Sequence, residues 1–184
     1  KVSKYNVAES DDELDLLLST EKRKILVVGQ VEDDVSIQTG CVDYKTNLDL
    51  LKQVRIDNPD AFIIYKPHPD VLSGNRKGNI AIKTVNNIAD CQIIRAGIIE
   101  CIELVDELHT LTSLAGFEAL VRGKKVVCYG LPFYAGWGLT TDKFIIDRRK
   151  RSLSIEQLVY GSLITYPSYV NVSNQMLTTP EYII

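Results

Sequence analysis

The feature that most constrains the fold is a series of short, continuous apolar runs that alternate with helical patterns. The first run, residues 24–29, reads Lys-Ile-Leu-Val-Val-Gly, which is typical of a strand buried on both faces of a sheet. Later runs predict further strands over residues 61–65, 91–94, 107–111 and 126–129. Strands and helices that alternate over short connections predict an α/β fold with a doubly wound parallel sheet. We therefore expect a Rossmann-like domain.

The predicted helices lie between these strands. One covers residues 47–58, with Asn47 as its N-cap and Pro59 ending it. Further helices are predicted over residues 98–105, over 114–122 with Gly123 as C-cap, and over 154–163 with Ser154 as N-cap. Residues 1–20 are expected to form a lead-in helix, whereas the C-terminal extension, residues 171–184, receives no role.

Length and charge are those of one ordinary globular domain. A chain of 184 residues can bury a single core, so residues 1–184 are treated as one domain. The 21 basic and 24 acidic residues give a net charge of −3, which argues against a nucleic acid partner. No apolar run approaches the ~18 residues of a membrane span, and the N-terminus lacks a secretory signal pattern. We therefore expect a cytoplasmic protein.

The cysteines predict no metal site and no reactive thiol. Cys41, Cys91, Cys101 and Cys128 include no C-x-x-C spacing, so a zinc site is not expected. Cys91 and Cys128 lie within apolar runs, where a reduced cysteine behaves as a small hydrophobic residue. The thiols are therefore expected to be inert.

Distinctive polar or aromatic segments follow four predicted strands, after Gly29, Tyr65, Leu111 and Tyr129. Ligands of doubly wound sheets bind beyond the carboxyl ends of the strands. We therefore expect one crevice at that edge of the sheet. Its predicted lining consists of Asp34, His68, Ser113, Glu118 and the aromatic loop, residues 131–141.

Three hydroxyls precede the helix predicted over residues 114–122. Thr110, Thr112 and Ser113 lie where a strand ends and a helix begins. The first N–H groups of a helix have no partner within it, so this arrangement predicts an anion-binding site. Ser and Thr are also common N-caps, and Ser113 can serve in both roles.

Two ionisable side chains stand in unusual surroundings. His68 lies between Pro67 and Pro69, which restrict the backbone and hold the imidazole in one direction. The alternative is a histidine in a rigid exposed turn. Glu118 falls within an otherwise apolar helix, where a buried carboxylate is unfavourable unless it faces a partner. Its alternative is a solvent-facing position.

The aromatic loop and the basic cluster after it each allow two readings. Tyr134 and Trp137 could stack on a base or a sugar, or they could attach the loop to the core. The basic cluster, residues 148–151, could bind a carboxylate or a phosphate, or it could be a solvated patch.

These segments together resemble the capsule polysaccharide biosynthesis family, the bacterial retaining β-Kdo glycosyltransferases that use CMP-Kdo. The resemblance covers residues 29–37, 65–69, 107–141 and 148–169, in the family's order. Its most specific part is Leu-Pro-Phe-Tyr-Ala-Gly-Trp-Gly-Leu-Thr, residues 131–140. It implies that the chain is the donor-binding half of a GT-B-like glycosyltransferase with a CMP-sugar as donor.

The resemblance implies a role for individual residues in binding this donor. Ser113, with Thr110 beside it, would contact the phosphate of CMP, and Glu118 would bind the ribose hydroxyls. His68 and its flanking prolines resemble the His-Pro element of bacterial sialyltransferases, whose histidine contacts the phosphate of CMP. Lys66 is a weaker candidate for donor contacts. His68 would also neutralise the charge that develops on CMP as it leaves.

The resemblance also implies the nucleophile. Retention by double displacement needs a carboxylate near the anomeric carbon, and the family pattern places it at Asp34, two residues before Ser36. Asp33 is the second choice, and a solvated acidic loop is the alternative for this segment. The sequence has no Asp-x-Asp pair, so transfer without a metal or other cofactor is expected.

Finally, the resemblance implies partners. The acceptor would be a lipid-linked glycan, and the enzyme would associate peripherally with the inner membrane. The family's upstream acceptor-side half, with its Glu-Asp-Gly-Phe motif, is absent here, and the chain begins at Lys1, so we expect a fragment of a larger enzyme. The competing hypotheses are another CMP-sugar transferase, such as a sialyltransferase, and a non-catalytic export or scaffold protein.

Overall fold

The computed structural model describes residues 11–183 and confirms the Rossmann-like α/β fold, with one six-stranded parallel sheet. In chain order the strands are β1 (Lys24–Val28), β2 (Phe62–Lys66), β3 (Cys91–Gln92), β4 (Glu107–Thr110), β5 (Lys125–Cys128) and β6 (Thr141–Asp142). Their order across the sheet is β3-β2-β1-β4-β5-β6, and every neighbouring pair is parallel. The strand order therefore reverses between β1 and β4.

Helices connect these strands and continue after them. They are α1 (Asp11–Leu18), α2 (Val35–Gly40), α3 (Asn47–Asp57), α4 (Pro69–Leu72), α5 (Ile82–Asn86), α6 (Ile98–Leu104), α7 (Leu114–Val121) and α8 (Ile155–Val159). A π-helix, Tyr160–Thr165, continues α8. The antiparallel pair of β7 (Tyr169–Val170) and β8 (Leu177–Thr178) then precedes a 3₁₀ turn, Pro180–Tyr182.

Helices cover both faces of the sheet because successive side chains of a strand point to opposite faces. Ile25 and Val27 of β1 face a core formed with α2, α3 and α5. Leu26 and Val28 face a second core formed with α6, α7 and α8. All four side chains are 3% exposed or less, as the continuous apolar run predicts.

The structure corrects the predicted start of α3. The N-cap is Thr46, whose hydroxyl accepts a hydrogen bond from the N–H of Asp49. Asn47 is only 1% exposed, and its Oδ1 accepts from the N–H of Gln30. Its Nδ2 donates to the carbonyls of Gln30 and Gly78. Asn47 therefore ties α3 to the loop after β1 and is not available as a cap.

Several short elements are absent from the sequence prediction. These are the helices α2, α4 and α5 and the strands β6, β7 and β8, none longer than six residues. Such elements are too short to show a helical or strand period. Of the lead-in helix predicted over residues 1–20, the structure shows α1, and residues 1–10 lie outside the described part of the chain.

The C-terminal part of the chain differs in character from the sheet. Within the described residues, neither core includes a side chain beyond Val159. Tyr166, Val172, Leu177 and Tyr182 are 77–89% exposed. None of the helices in residues 11–183 is long and apolar enough to cross a membrane.

The aromatic loop belongs to the core. Tyr134 is fully buried, and its hydroxyl donates to the carbonyl of Ser113. The ring of Phe133 packs on that of Phe117 in α7, with the ring centres 5.1 Å apart. The Nε1 of Trp137 donates to the carbonyl of Phe133. The aromatic loop therefore packs against α7 and holds this helix in place; we call this contact the brace.

Replacing Gly116 by Ala tests this brace. A Cβ at residue 116 would lie 2.2 Å from the hydroxyl oxygen of Tyr134, so the ring or the helix must move. Overpacking of this kind costs about 1–3 kcal/mol, and we expect the free energy of unfolding in urea to fall by that amount. In the control Gly161→Ala, the added Cβ meets nothing within 4 Å, and stability should hold or rise slightly. Equal stability of the two variants would contradict the brace.

Candidate functional site

A cavity of about 630 Å³ lies at the carboxyl ends of the central strands. Its walls are the loop after β1, the turn after β2, the start of α7 and residues 94–98 after β3. It therefore spans the reversal of strand order between β1 and β4, where doubly wound sheets bind their ligands. The predicted site residues that line it are Asp34, Lys66, His68, Ser113 and Glu118.

Ser113 is held in place at the start of α7. Its Oγ accepts from the N–H of Ala115 at 3.2 Å, which confirms the predicted N-cap. Its own N–H donates to Oγ1 of Thr110 at 3.2 Å, and its carbonyl accepts from the hydroxyl of Tyr134. A hydroxyl that accepts from the helix still has its own hydrogen to donate. Ser113 can therefore donate to an anion in the cavity.

Gln30 joins the walls that follow β1 and β4. Its Nε2 donates to Oγ1 of Thr112 at 3.0 Å, and its Oε1 accepts from the N–H of Thr112 at 2.8 Å. The hydroxyl of Thr112 donates in turn to Oγ of Ser36 at 3.3 Å. Gln30 is absent from the predicted site residues. The sequence signal that could have indicated Gln30 is its position, since it is a polar residue close after a strand that is buried on both faces.

His68 is the N-cap of α4. Its Nδ1 accepts from the N–H of Asp70 at 3.1 Å, and Pro69 is the first residue of the helix. A ring nitrogen that accepts carries no hydrogen, so the hydrogen of the neutral imidazole is on Nε2. The side chain is 26% exposed on the cavity wall. His68 can therefore act as a hydrogen-bond donor through Nε2.

Lys66 brings a buried cation to the end of β2. It is 8% exposed, and its Nζ donates to the carbonyl of Ala96. Burial lowers the pKa of the ammonium group, whereas Cys101, Glu13 and Glu100 act in the opposite direction. Lys66 lines the cavity, so its charge is close to any ligand there.

Glu118 lies in the second turn of α7 and lines the cavity. Its side chain is half-buried. Burial raises the pKa of the carboxyl, and the nearby Arg122 opposes this only in part. A carboxylate in such a place is stabilised when hydroxyl groups of a ligand donate to it.

Of the two neighbouring acids, Asp34 lines the cavity and Asp33 does not. Asp34 caps α2, and its Oδ1 accepts from the N–H of Ser36 at 2.9 Å. That bond, the Ser36 hydroxyl and the charge of Arg76 hold the pKa of Asp34 below its usual value. Asp33 instead pairs with Arg76 at 3.3 Å. Asp34 is therefore an ionised carboxylate at the edge of the cavity.

Three predicted ligand residues, Thr110, Tyr134 and Trp137, do not line the cavity. Thr110 is fully buried, and its hydroxyl oxygen accepts a hydrogen bond from the N–H of Ser113. The stacking role predicted for Tyr134 is wrong because its ring is fully buried in the core. Trp137 packs against Arg149, whose guanidinium carbon is 5.4 Å from the ring centre. The expectation that the aromatic loop lines the crevice is likewise wrong.

The basic cluster, residues 148–151, contributes one residue, Arg149, that holds the aromatic loop in place. Nη1 of Arg149 donates to the carbonyls of Pro132 and Ala135, each at 2.6 Å, and so holds the aromatic loop. The further cations on the cavity wall are Arg76 and Arg95, which the sequence prediction missed. Isolated arginines in loops form no pattern that would have revealed them.

Within residues 11–183, no group of three or more His, Cys, Asp or Glu side chains is placed to hold a metal ion.

The four cysteines form no disulfide. Burial raises the pKa of Cys41 and Cys101 to about 11 and that of Cys91 to about 12. At neutral pH these groups are thiols, which are poor nucleophiles.

The fold is that of a Rossmann-like α/β protein, and its cavity lies where the strand order reverses. Comparison with known proteins narrows this class. Residues 1–173 match the family model described as capsule polysaccharide biosynthesis protein. The chain therefore belongs to the capsule polysaccharide biosynthesis family.

Two curated relatives are substantially longer than this chain. The capsule polysaccharide modification protein LipA of Neisseria meningitidis serogroup B is 56% identical over 180 residues, which are 98% of this chain and 25% of LipA. The lipopolysaccharide-processing protein LpsZ of Rhizobium meliloti is 46% identical over 170 residues, which are 91% of this chain and 38% of LpsZ. The chain thus spans a quarter to two fifths of these relatives.

Two solved structures are similar to this chain, both of KpsC from Thermosulfurimonas dismutans. The one described as a beta Kdo 2,7 transferase has a TM-score of 0.80 and 43% identity, covering 94% of this chain and 57% of that chain. The one described as a beta Kdo 2,4 transferase has a TM-score of 0.75 and 30% identity, covering 90% of this chain and 51% of that chain. The chain spans little more than half of each.

Replacing Glu118 by Gln is expected to stabilise the ligand-free chain at pH 7. Because burial raises the pKa of Glu118 above 4.5, the folded state disfavours the carboxylate, and this penalty grows as the pH rises above 4.5. The midpoint of urea unfolding should therefore increase at pH 7, with a gain that shrinks as the pH falls towards 4.5. Glu103→Gln, at an exposed position of α6, is the control and should change the midpoint little. A gain that does not depend on pH would refute this account of Glu118.

Proposed function

We propose that this chain is the donor-binding half of a retaining β-Kdo transferase that uses CMP-Kdo in the synthesis of the capsule linker. Membership of the capsule polysaccharide biosynthesis family supports the biological context. The similarity to two KpsC structures described as beta Kdo transferases supports Kdo as the transferred sugar. In this proposal the Rossmann-like domain forms one side of a GT-B-like cleft.

One observation carries the proposal. His68, from the turn after β2, lines the same cavity as Ser113 and Glu118, from the segment after β4. The cavity volume of about 630 Å³ suits a nucleotide-sized ligand. Hydrogen-bond donors for a phosphate and a carboxylate for ribose hydroxyls thus face one space.

The phosphate of CMP would lie between the start of α7 and His68. The helix offers its N-terminal N–H groups, the positive end of its dipole and the hydroxyl of Ser113. His68 would donate from Nε2, and the charge of Lys66 would add to the favourable potential. When the bond between sugar and phosphate breaks, negative charge grows on CMP. These fixed donors would stabilise that charge as it develops.

The ribose would lie further along α7. Glu118 follows Ser113 by five residues, a rise of about 7.5 Å along the helix. This spacing suits a nucleotide whose phosphate lies at the helix start and whose ribose hydroxyls donate to the Glu118 carboxylate. Burial raises the pKa of Glu118, and hydroxyl groups that donate to its carboxylate would offset this effect.

Asp34 would act as the nucleophile. Its carboxylate oxygen forms a bond to the anomeric carbon while the bond from that carbon to the phosphate oxygen breaks, and CMP leaves with the electron pair. The acceptor hydroxyl then displaces Asp34 and gives its proton to a base, so two inversions retain the configuration. The lowered pKa of Asp34 keeps the carboxylate ionised for the first step. The scheme requires neither a metal nor another cofactor.

The proposal implies partners outside this chain. An acceptor-side domain would close the cleft, and a lipid-linked glycan would be the acceptor. Such an acceptor would place the enzyme in the cytoplasm, at the inner membrane as a peripheral protein. We expect this chain alone to bind CMP but to transfer sugar poorly or not at all. Robust turnover by the chain alone would contradict this division of labour.

Calorimetric titration with CMP tests the ligand. We expect the chain to bind CMP and the His68→Asn variant to bind it about tenfold more weakly, because the ring donor is lost. Asn is a good N-cap, so this change spares α4. The exposed Arg148, replaced by Ala, is a control for non-specific charge attraction and should leave the affinity unchanged. An absence of binding heat with CMP would favour a non-catalytic scaffold.

Transfer assays on an enzyme that joins this chain to its acceptor-side domain test the nucleophile. Asp34→Asn should abolish transfer from CMP-Kdo and leave the CMP affinity nearly unchanged, because Asn also caps α2. The matched variant Asp33→Asn should stay active, since Asp33 does not line the cavity. An active Asp34→Asn enzyme would refute the assignment. Preference for CMP-sialic acid over CMP-Kdo would instead indicate a sialyltransferase.

A further inference from the structure

Glu13, in α1, binds the main chain of the cavity wall that follows β3. Its Oε2 accepts from three successive N–H groups, those of Ile94, Arg95 and Ala96, at 3.2, 2.9 and 3.2 Å. The Nε of Arg95 is 3.6 Å from Oε1 of the same carboxylate. The Glu13 side chain is only 18% exposed. One carboxylate from a distant helix therefore fixes three consecutive peptide groups.

This arrangement is more specific than the attachment of α1 requires. Leu14 and Leu17 of α1 already pack on the apolar core. Burial alone would raise the pKa of Glu13, but the N–H donors of Arg95, Ala96 and Ile94 outweigh it and hold the pKa below its usual value. The carboxylate is therefore ionised and matched to this backbone segment.

The segment that Glu13 holds is also the support of Lys66. Ala96 is 1% exposed; its N–H donates to Glu13, and its carbonyl accepts from Nζ of Lys66. The same residue thus connects a carboxylate on one side with a buried cation on the other. The adjoining N–H, that of Gly97, donates to Oε2 of Glu100 at 2.8 Å and so fixes the other end of the segment.

We propose that Glu13 is a positioning residue of the donor site, which fixes residues 94–96 so that the Ala96 carbonyl anchors the ammonium group of Lys66 on the cavity wall. This inference rests on the proposed function, because the place of Lys66 matters to a ligand only if the cavity holds an anionic donor. It gives α1 a part in binding without contact with the ligand. Glu13 itself does not line the cavity.

The first test needs no ligand. Glu13→Gln keeps the shape of the side chain but removes the charge that three N–H groups share. We expect hydrogen exchange at the amides of residues 94–96 to accelerate by about tenfold or more. Asp15→Asn removes the same charge from an exposed position of the same helix and should leave these rates unchanged. Unchanged exchange in Glu13→Gln would overturn the proposal.

The second test measures CMP affinity in a double-mutant cycle. Glu13→Gln should weaken CMP binding about tenfold, and Asp15→Asn should not. In a Lys66→Met background, Glu13→Gln should cause no further loss, because its effect passes through the ammonium group. A full further loss in that background would overturn the proposed route through Lys66.

The two tests separate this inference from the proposed function. If exchange at residues 94–96 accelerates as expected but the unmodified chain does not bind CMP, the proposed function fails and with it the role of Glu13 in a donor site. If CMP binds and Glu13→Gln changes neither the exchange rates nor the affinity, the proposed function stands and this inference fails.

Discussion

The side chain of Gln30 bridges the two strands between which the order of the sheet reverses, and the cavity depends on this bridge. The connections after β1 and β4 run to opposite faces of the sheet, so the two chain segments that follow these strands diverge. Gln30 bonds both its amide atoms to Thr112 and both its main-chain polar groups to Asn47. A buried polar network with every member satisfied is rigid. The space between the segments that follow β1 and β4 is therefore a cavity of fixed shape.

Most of the distinctive side chains around this cavity support the few that face it. Ser113 faces the cavity, whereas Thr110 and Tyr134 hold its main chain from behind. Gly116 lets the Tyr134 ring come close to α7, and Arg149 holds the loop that carries the tyrosine. The unusual aromatic residues of the loop 131–141 are thus explained by their packing in the core. Fixed donors of this kind lose little entropy when a ligand binds.

Features that are determined by the residues of one continuous segment could be predicted from the sequence. Continuous apolar runs located the central strands, and a hydroxyl before an apolar helix located the Ser113 cap. What it could not predict depends on direction or on distant partners. A buried aromatic and a ligand-stacking aromatic look alike in sequence, so the sequence could not decide between these two roles for Tyr134. Glu13 and Ala96 are far apart in the chain, and no local pattern indicates that they meet.

The central claim is that the cavity at the carboxyl ends of β1 and β4 holds a cytidine monophosphate. Two-dimensional ¹H–¹⁵N NMR during titration with CMP tests it most directly, since it reports every backbone amide of the chain at once. We expect saturable shifts concentrated in residues 30–36, 66–70 and 112–118, with residues 166–183 unaffected. Shifts centred on any other part of the chain, or none at a large excess of CMP, would contradict it.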